Sequence, residues 1–274
     1  MWSYPADLSA GFEQVDEGGK VGVCDGGHEG EGLHEISAAS PNVRGDPIGF
    51  GDTAPPLDAL IVFAKVPTPG RVKTRLCPPM TPEEACDLYA AMLSDVLAGY
   101  VRLGVAVRLY VSQEEVALPE GLVPSGITTH RQAGTDLGAR MLRAFLETFA
   151  AGANRAVVIG TDHPTLPLDF VRLAFDELTT PRTVTLGPTD DGGYYLVGMR
   201  DLHPALFAGM TYSHPRVLDD TLARAASADL DVTLLPTWYD VDAPGDLARL
   251  RTDLADAPDL APRTAAVLSA LTLP

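Results

Sequence analysis

Residues 57–76 read LDALIVFAKVPTPGRVKTRL, and the change of character at position 65 decides the fold. Leu57 to Ala64 is a short, unbroken apolar run that ends at a Pro/Gly-rich loop, which is the pattern of a strand buried on both faces. The loop carries four cations, Lys65, Arg71, Lys73 and Arg75, in eleven residues of a chain whose net charge is -17. Only three of the 20 basic residues are lysines (Lys20, Lys65 and Lys73), and two of them lie in this loop. Beside Gly70, which permits close backbone approach, these side chains form a credible anion cradle, with phosphate the obvious anion. The bland alternative is a set of solvated loop charges. The spacing does not match a P-loop, so a Walker-type ATPase is not indicated.

Outward from this stretch, strands and helices alternate. Thr81, Pro82 and Glu84 make a capping box with proline at the first helical position. Ala85, Leu88, Tyr89, Met92, Leu93, Val96, Leu97 and Tyr100 then recur at intervals of three and four, the stripe of an amphipathic helix. VAVRLYV (105–111), the weaker ITTHRQ (127–132), AVVIG (156–160), TVTLG (183–187), YYLVGM (194–199) and VTLLPTWYDVD (232–242) read as strands. Helices are expected from about Asp136 to Ala150, over PLDFVRLAFDEL, from about Pro215 to Ala226, and last from near Pro244. This alternation predicts an α/β domain with a largely parallel central sheet over residues 57–274.

Residues 1–56 differ in character: they hold 11 of the 26 glycines and a charge of 2 minus 10, or -8, with no sustained periodicity. They are expected to form an acidic, irregular or mobile extension. The acidity of the whole chain disfavours nucleic-acid and anionic-membrane partners, which need a basic field. No apolar run approaches the roughly 20 residues of a spanning helix, and the N-terminus lacks the basic start and apolar core of a secretory signal, so the expected location is cytoplasmic. Cys24, Cys77 and Cys86 form no CxxC pair, and free thiols are expected.

In open α/β sheets ligands bind beyond the carboxyl ends of strands, which directs attention to three further loops. In GTDHPTLP, Asp162 follows a strand directly and is the candidate ligand for a hard divalent cation; an ordinary turn or capping role is the alternative. His163 beside it is more readily a packing residue. In PTDDGGYYLVG, Asp190 and Asp191 precede Gly192, Gly193 and Tyr194, a pattern that suits either a substrate that approaches the backbone or a plain hairpin turn. In WYDVDAPGDL, Asp242 either completes a metal site with Asp162 or caps the following helix, and Asp240 lies two residues before it. No GxSxG elbow, HExxH helix or GxGxxG fingerprint is present, and the six histidines have no zinc spacing.

FAKVPTPGRVKTRL, QAGTDLGARM, IGTDHPTLP, GPTDDGGYYLVG and WYDVDAPGDL occur in the order typical of one family, over about residues 57–251. They resemble the bacterial selenodomain-associated transferases, which are glycosyltransferase-like. The resemblance implies the nucleotide-diphospho-sugar transferase fold, a GT-A-like three-layer α/β sandwich with a mostly parallel central sheet. It implies that Lys65, Pro69, Gly70, Arg71, Lys73, Thr74 and Arg75 hold nucleotide phosphates, and that Asp162 holds Mg²⁺ or Mn²⁺, with Asp242 as a second ligand. Asp190, Asp191, Gly192, Gly193 and Tyr194 would meet substrate, and Lys73, Asp162 and Asp191 would be catalytic. The implied reaction is sugar transfer from a nucleotide-sugar to a small-molecule acceptor. The DxD motif usual for glycosyltransferases is replaced here by Thr161-Asp162-His163-Pro164. The same segments are similar to 2-phospho-lactate guanylyltransferases and molybdenum-cofactor nucleotidyltransferases, for which nucleotidyl transfer with release of pyrophosphate is implied. A nucleotide-binding protein that keeps the fold without the chemistry is the third possibility.

Overall fold

A computed structural model describes residues 57–112 and 117–271, so the extension expected over residues 1–56 lies outside the described residues. The chain from Asp58 onward builds one seven-stranded sheet: β1 (Asp58–Ala64), β2 (Ala106–Val111), β3 (Thr128–Arg131), β4 (Arg155–Ile159), β5 (Thr183–Pro188), β6 (Tyr194–Met199) and β7 (Asp231–Leu234). Their spatial order is β3-β2-β1-β4-β6-β5-β7. All pairings are parallel except those of β6, which runs antiparallel to both β4 and β5. The expected mostly parallel sheet is observed. The reversal arises because the DDGG turn closes β5 and β6 into a hairpin, so β6 enters the sheet beside β4 in the opposite sense.

The apolar run of β1 is explained by its place between β2 and β4. Successive side chains of a strand point to opposite faces, and both faces here are covered. Leu60 and Val62 pack on one side with Val157, Ile159 and helices α1 (Pro82–Val101) and α3 (Leu168–Asp176). Ile61 packs on the other with Val158, α2 (Leu137–Ala150) and α4 (Val217–Ser227). The result is the three-layer sandwich. A further apolar cluster joins the back of α1 to α5 (Asp246–Asp256) and α6 (Pro262–Ala270).

Local sequence signals set the element ends. The Thr81 hydroxyl accepts from Glu84 N at 3.2 Å and the Glu84 carboxylate accepts from Thr81 N at 2.7 Å, so the capping box is complete. Asp136 caps α2 by accepting from Ala139 N at 2.8 Å. The C-terminal region departs from expectation: the single helix expected from Pro244 is two, because Pro258 and Pro262 cannot continue α5 and Pro262 instead opens α6. Asp95 of α1, fully buried, accepts from Thr264 N at 2.8 Å and Thr264 Oγ1 at 2.9 Å and so anchors the start of α6. The last strand is also shorter than expected. It stops at Leu234, after which Leu235 N still donates to Leu186 O at 2.8 Å and Trp238 N to Pro188 O at 3.0 Å, and an isolated bridge joins Trp238 to Thr189 just past β5. No helix among the described residues is long and apolar enough to cross a membrane.

Candidate active site

The carboxyl ends of β1, β2, β3 and β4 and the β5–β6 hairpin open onto one cavity of about 810 Å³. Lys65, Lys73, Thr74 and Arg75 from the loop after β1 line it, with Asp162 from the loop after β4, Asp191, Gly193 and Tyr194 from the hairpin, and Asp242. The four loops singled out in the sequence thus supply one site or its rim. Pro69, Gly70 and Arg71 do not line the wall. They form an exposed turn, with Arg71 N donating to Thr68 O at 3.0 Å, that carries the chain from Lys65 to Lys73.

Lys73 is the centre of the arrangement. Its backbone is left-handed (φ 49°), a conformation uncommon for a residue with a side chain, and a single 3-10 turn, Thr74–Leu76, follows it. The side chain is only 4% exposed and its ammonium donates to Asp162 Oδ1 and, at 2.8 Å, to Asp242 Oδ1. The two carboxylates come from positions 80 residues apart in the chain. They meet because Val241 N donates to Asp162 O at 2.8 Å, which docks the 239–242 segment on the loop after β4. Asp242 does not cap α5: Asp246 takes the local amides, accepting from Asp242 N at 2.8 Å and Ala243 N at 2.7 Å. Its carboxylate is left free for the cavity.

The electrostatics follow from burial and pairing. Burial alone lowers the Lys73 pKa, but Asp162 and Asp242 together outweigh it, so the ammonium is held above its ordinary value of 10.5. Burial raises Asp162, and the Lys73 ammonium more than offsets this, leaving the carboxyl below the ordinary 3.8. Asp240, which also lines the cavity, is raised, first by burial and then by the negative charges of Asp162 and Asp242, against the opposing effect of His163. His163 is 1% exposed, with Nδ1 3.5 Å from Asp240 Oδ1 and its ring tilted against Tyr195 at 5.5 Å, so its packing role stands out. The Tyr89 phenol, pushed up to about 12 by burial, ties the two loops together: its oxygen accepts from Lys65 N at 2.9 Å and lies 3.3 Å from Thr161 Oγ1.

The hairpin divides its two aspartates between tasks. Asp191 Oδ1 accepts from Thr189 Oγ1 at 2.6 Å and from Gly193 N at 3.1 Å, which fixes the carboxylate at the cavity edge. Asp190 lies outside the wall and pairs with Arg249 of α5 at 2.8 Å, while that guanidinium stacks over Tyr239 at 3.9 Å. Gly192 is outside the wall as well. Its φ is +88°, and a Cβ there would meet Pro215 O at 2.0 Å, so glycine is what lets the turn lie against the 213–215 segment. Residues not singled out in the sequence, Arg140 of α2, Gln132, Tyr212 and His214, complete the opposite wall. Their residue types carry no local signature, and only the fold brings them together.

Asp162 and Asp242 suit a hard divalent cation in kind and number. They offer converging oxygen donors, 42% and 43% exposed, beside cations able to bind phosphate, and Mg²⁺ is commonly held by one or two carboxylates with phosphate and water completing its shell. Among the described residues no group of three or more His, Cys, Asp or Glu side chains could form an all-protein cage.

Comparison with known proteins places this chain in a family. A family model for an uncharacterized protein conserved in bacteria (DUF2064) matches residues 99–214. A solved protein of Desulfovibrio desulfuricans G20, assigned to the nucleotide-diphospho-sugar transferases, is 33% identical; the match covers 78% of this chain and 94% of that one, with a TM-score of 0.73. The chain belongs to the nucleotide-diphospho-sugar transferases. Membership makes it a transferase enzyme, and the two chains share their fold. More distant similarity extends to a CMP:2-keto-3-deoxy-manno-octonic acid synthetase solved with CTP, 14% identical over 73% of this chain and 98% of that one with a TM-score of 0.45. It also extends to a cytidylyltransferase from Leptospira borgpetersenii serovar Hardjo-bovis, 11% identical over 80% and 99% of the two chains with a TM-score of 0.46. No curated protein matches the sequence.

Proposed function

We propose that this nucleotide-diphospho-sugar transferase moves a sugar from a nucleotide-sugar to a hydroxyl of a small-molecule acceptor. The observation that carries this reading is Asp191: a carboxylate fixed by Thr189 and Gly193 on the same cavity as the Lys73, Asp162 and Asp242 cluster. Lys65, Lys73, Thr74 and Arg75 would bind the diphosphate of the donor, and Lys73 in particular would stabilise the charge that grows on it as the nucleotide leaves. Asp162 and Asp242 would hold Mg²⁺ or Mn²⁺, which supplies further neutralisation of that charge. Asp191 would orient the acceptor hydroxyl and take its proton, and Gly193 and Tyr194 would border the substrate. The buried walls from Tyr89, Met141 and Tyr195 exclude water around these groups.

A second reading, nucleotidyl transfer to a phosphate-bearing acceptor with release of pyrophosphate, is favoured by one observation. The acidic pair is assembled from Asp162 and the distant Asp242 rather than from a DxD motif, and Arg140 adds a cation on the opposite wall. In that reaction Asp191 only positions substrate. Asp191→Asn separates the two. Under sugar transfer the substitution lowers kcat by about 10²-fold or more at nearly unchanged donor affinity, as loss of a general base does. A variant that retains kcat and loses only acceptor affinity, with pyrophosphate formed from a nucleoside triphosphate, moves nucleotidyl transfer to first place. Neither activity in any donor and acceptor combination would support a binding protein without chemistry.

A further inference from the structure

We infer that the Lys73 ammonium and the divalent cation compete for the same two carboxylates, so that the metal binds weakly until a phosphate group takes Lys73 over. The inference rests on the metal role proposed above for Asp162 and Asp242. Lys73 reaches from the loop after β1 to contact one oxygen on each of the two aspartates, with its side chain 4% exposed. The aspartates themselves stay 42% and 43% exposed, and both line the cavity. A metal would therefore approach from the cavity side and meet two carboxylates that each already hold the ammonium through Oδ1. Two cations held at contact distance by this pair repel each other, and a further anion relieves that repulsion.

The ammonium leaves most readily when another anion receives it. Asp240, the remaining nearby carboxylate, faces His163 at 3.5 Å. On the cavity side, Lys65 and Arg75 line the wall and form no ion pair among the described residues, so they gather phosphate beside Lys73. Phosphate binding then frees the two carboxylates, and metal and nucleotide bind with positive, reciprocal coupling. Lys73 acts as a tethered cation that keeps the acidic pair neutralised until substrate arrives. A site that binds metal weakly on its own would collect little of the ion unproductively.

The test is direct Mn²⁺ binding to the chelator-treated full-length chain, followed by the electron paramagnetic resonance signal of free Mn²⁺, with no nucleotide present. Lys73→Met is expected to bind Mn²⁺ at least tenfold more tightly than the wild type, and the double variant with Asp242→Asn to lose that gain. Equal or weaker binding by Lys73→Met overturns the inference while leaving the metal role of the aspartates in place. No Mn²⁺ binding by any of the proteins, with or without UDP, GDP, CDP or ADP, removes the metal role and the inference with it. Should Lys73→Met fail to fold, the wild type carries the test: saturating Mn²⁺ should raise the rate at which acetic anhydride modifies Lys73, read by mass spectrometry, at least fivefold. An unchanged rate under bound Mn²⁺ overturns the competition.

Discussion

Lys73→Ala probes the phosphate-binding role, and the structure sets the size of the effect. A hydrogen bond to a charged group contributes about 1.5–3 kcal/mol. Lys73 is already engaged by two carboxylates, so a phosphate that recruits it exchanges one set of charged partners for another. The net loss of nucleotide affinity should therefore fall at the low end, about 1.5 kcal/mol, or roughly tenfold in Kd. The substitution also leaves Asp162 and Asp242 facing each other without a cation. Because both are about 40% open to solvent, water and counter-ions screen the pair, and the cost to stability is of the order of 1 kcal/mol, a fall in Tm of about 2–4 °C for a domain of this size. Isothermal titration calorimetry with a nucleoside diphosphate in chelator, beside a thermal melt, measures both. The omission of metal matters, since a divalent ion held more firmly by the freed carboxylates would mask the loss. Wild-type affinity in a variant that melts normally refutes the assignment of Lys73 to the phosphates.

Gly192→Ala should destabilise by about 1–2 kcal/mol from the left-handed backbone alone, and more because Pro215 O must move; a lower Tm with a raised acceptor KM is expected, and an unchanged Tm would contradict the tight packing of the turn. The stability advantage of wild type over Lys73→Met, followed by denaturant titration, should be level across neutral pH and shrink at both ends. The depressed Asp162 carboxyl contributes above the ordinary 3.8 and its contribution is lost as pH falls through the lowered folded value, whereas the raised Lys73 contributes fully below 10.5 and is lost as pH rises through its folded value; a pH-independent difference would show that the ion pairs add nothing. We place the transferase domain at residues 57–274, so removal of residues 1–56 should leave Tm and nucleotide affinity within error, and loss of folding would make those residues part of the domain.

The parts of the fold that were legible are those where one physical cause dominates a short window. The unbroken apolar run of β1 follows from burial on both faces, and the capping box at Thr81 is a contact between residues three apart. The extent of the last strand and the split between α5 and α6 were not legible for the complementary reason. VTLLPTWYDVD has strand-like residues throughout, yet pairing past Leu234 depends on where β5 ends, and the start of α6 is held by Asp95 from a helix 168 positions away in sequence. Within the site, Lys73 and Asp162 announce themselves by rarity and by position after a strand. Tyr89 is hidden in a helical apolar stripe, where the same periodicity serves a core residue and one whose phenol joins two loops.

The pair Asp190 and Asp191 shows why the sequence left two readings open there. Both residues sit in one Asp-Asp-Gly-Gly turn; the hairpin reading is realised, and the substrate reading stays open to Asp191, which lines the cavity. Closure of β5 on β6 is a hairpin, and its register sends one aspartate to Arg249 and leaves the other on the cavity, where the proposed acceptor would lie. The division is enforced by one distant partner and two local ones: Arg249, stacked on Tyr239, claims Asp190 from 59 positions away, and Thr189 and Gly193, each two residues off, claim one oxygen of Asp191 as an Asx turn does. A carboxylate held by two donors through a single oxygen keeps its orientation without being consumed by the fold. Asp190, paired with its arginine, has no such freedom, and that asymmetry is why the proposed acceptor role is assigned to Asp191 and not to Asp190.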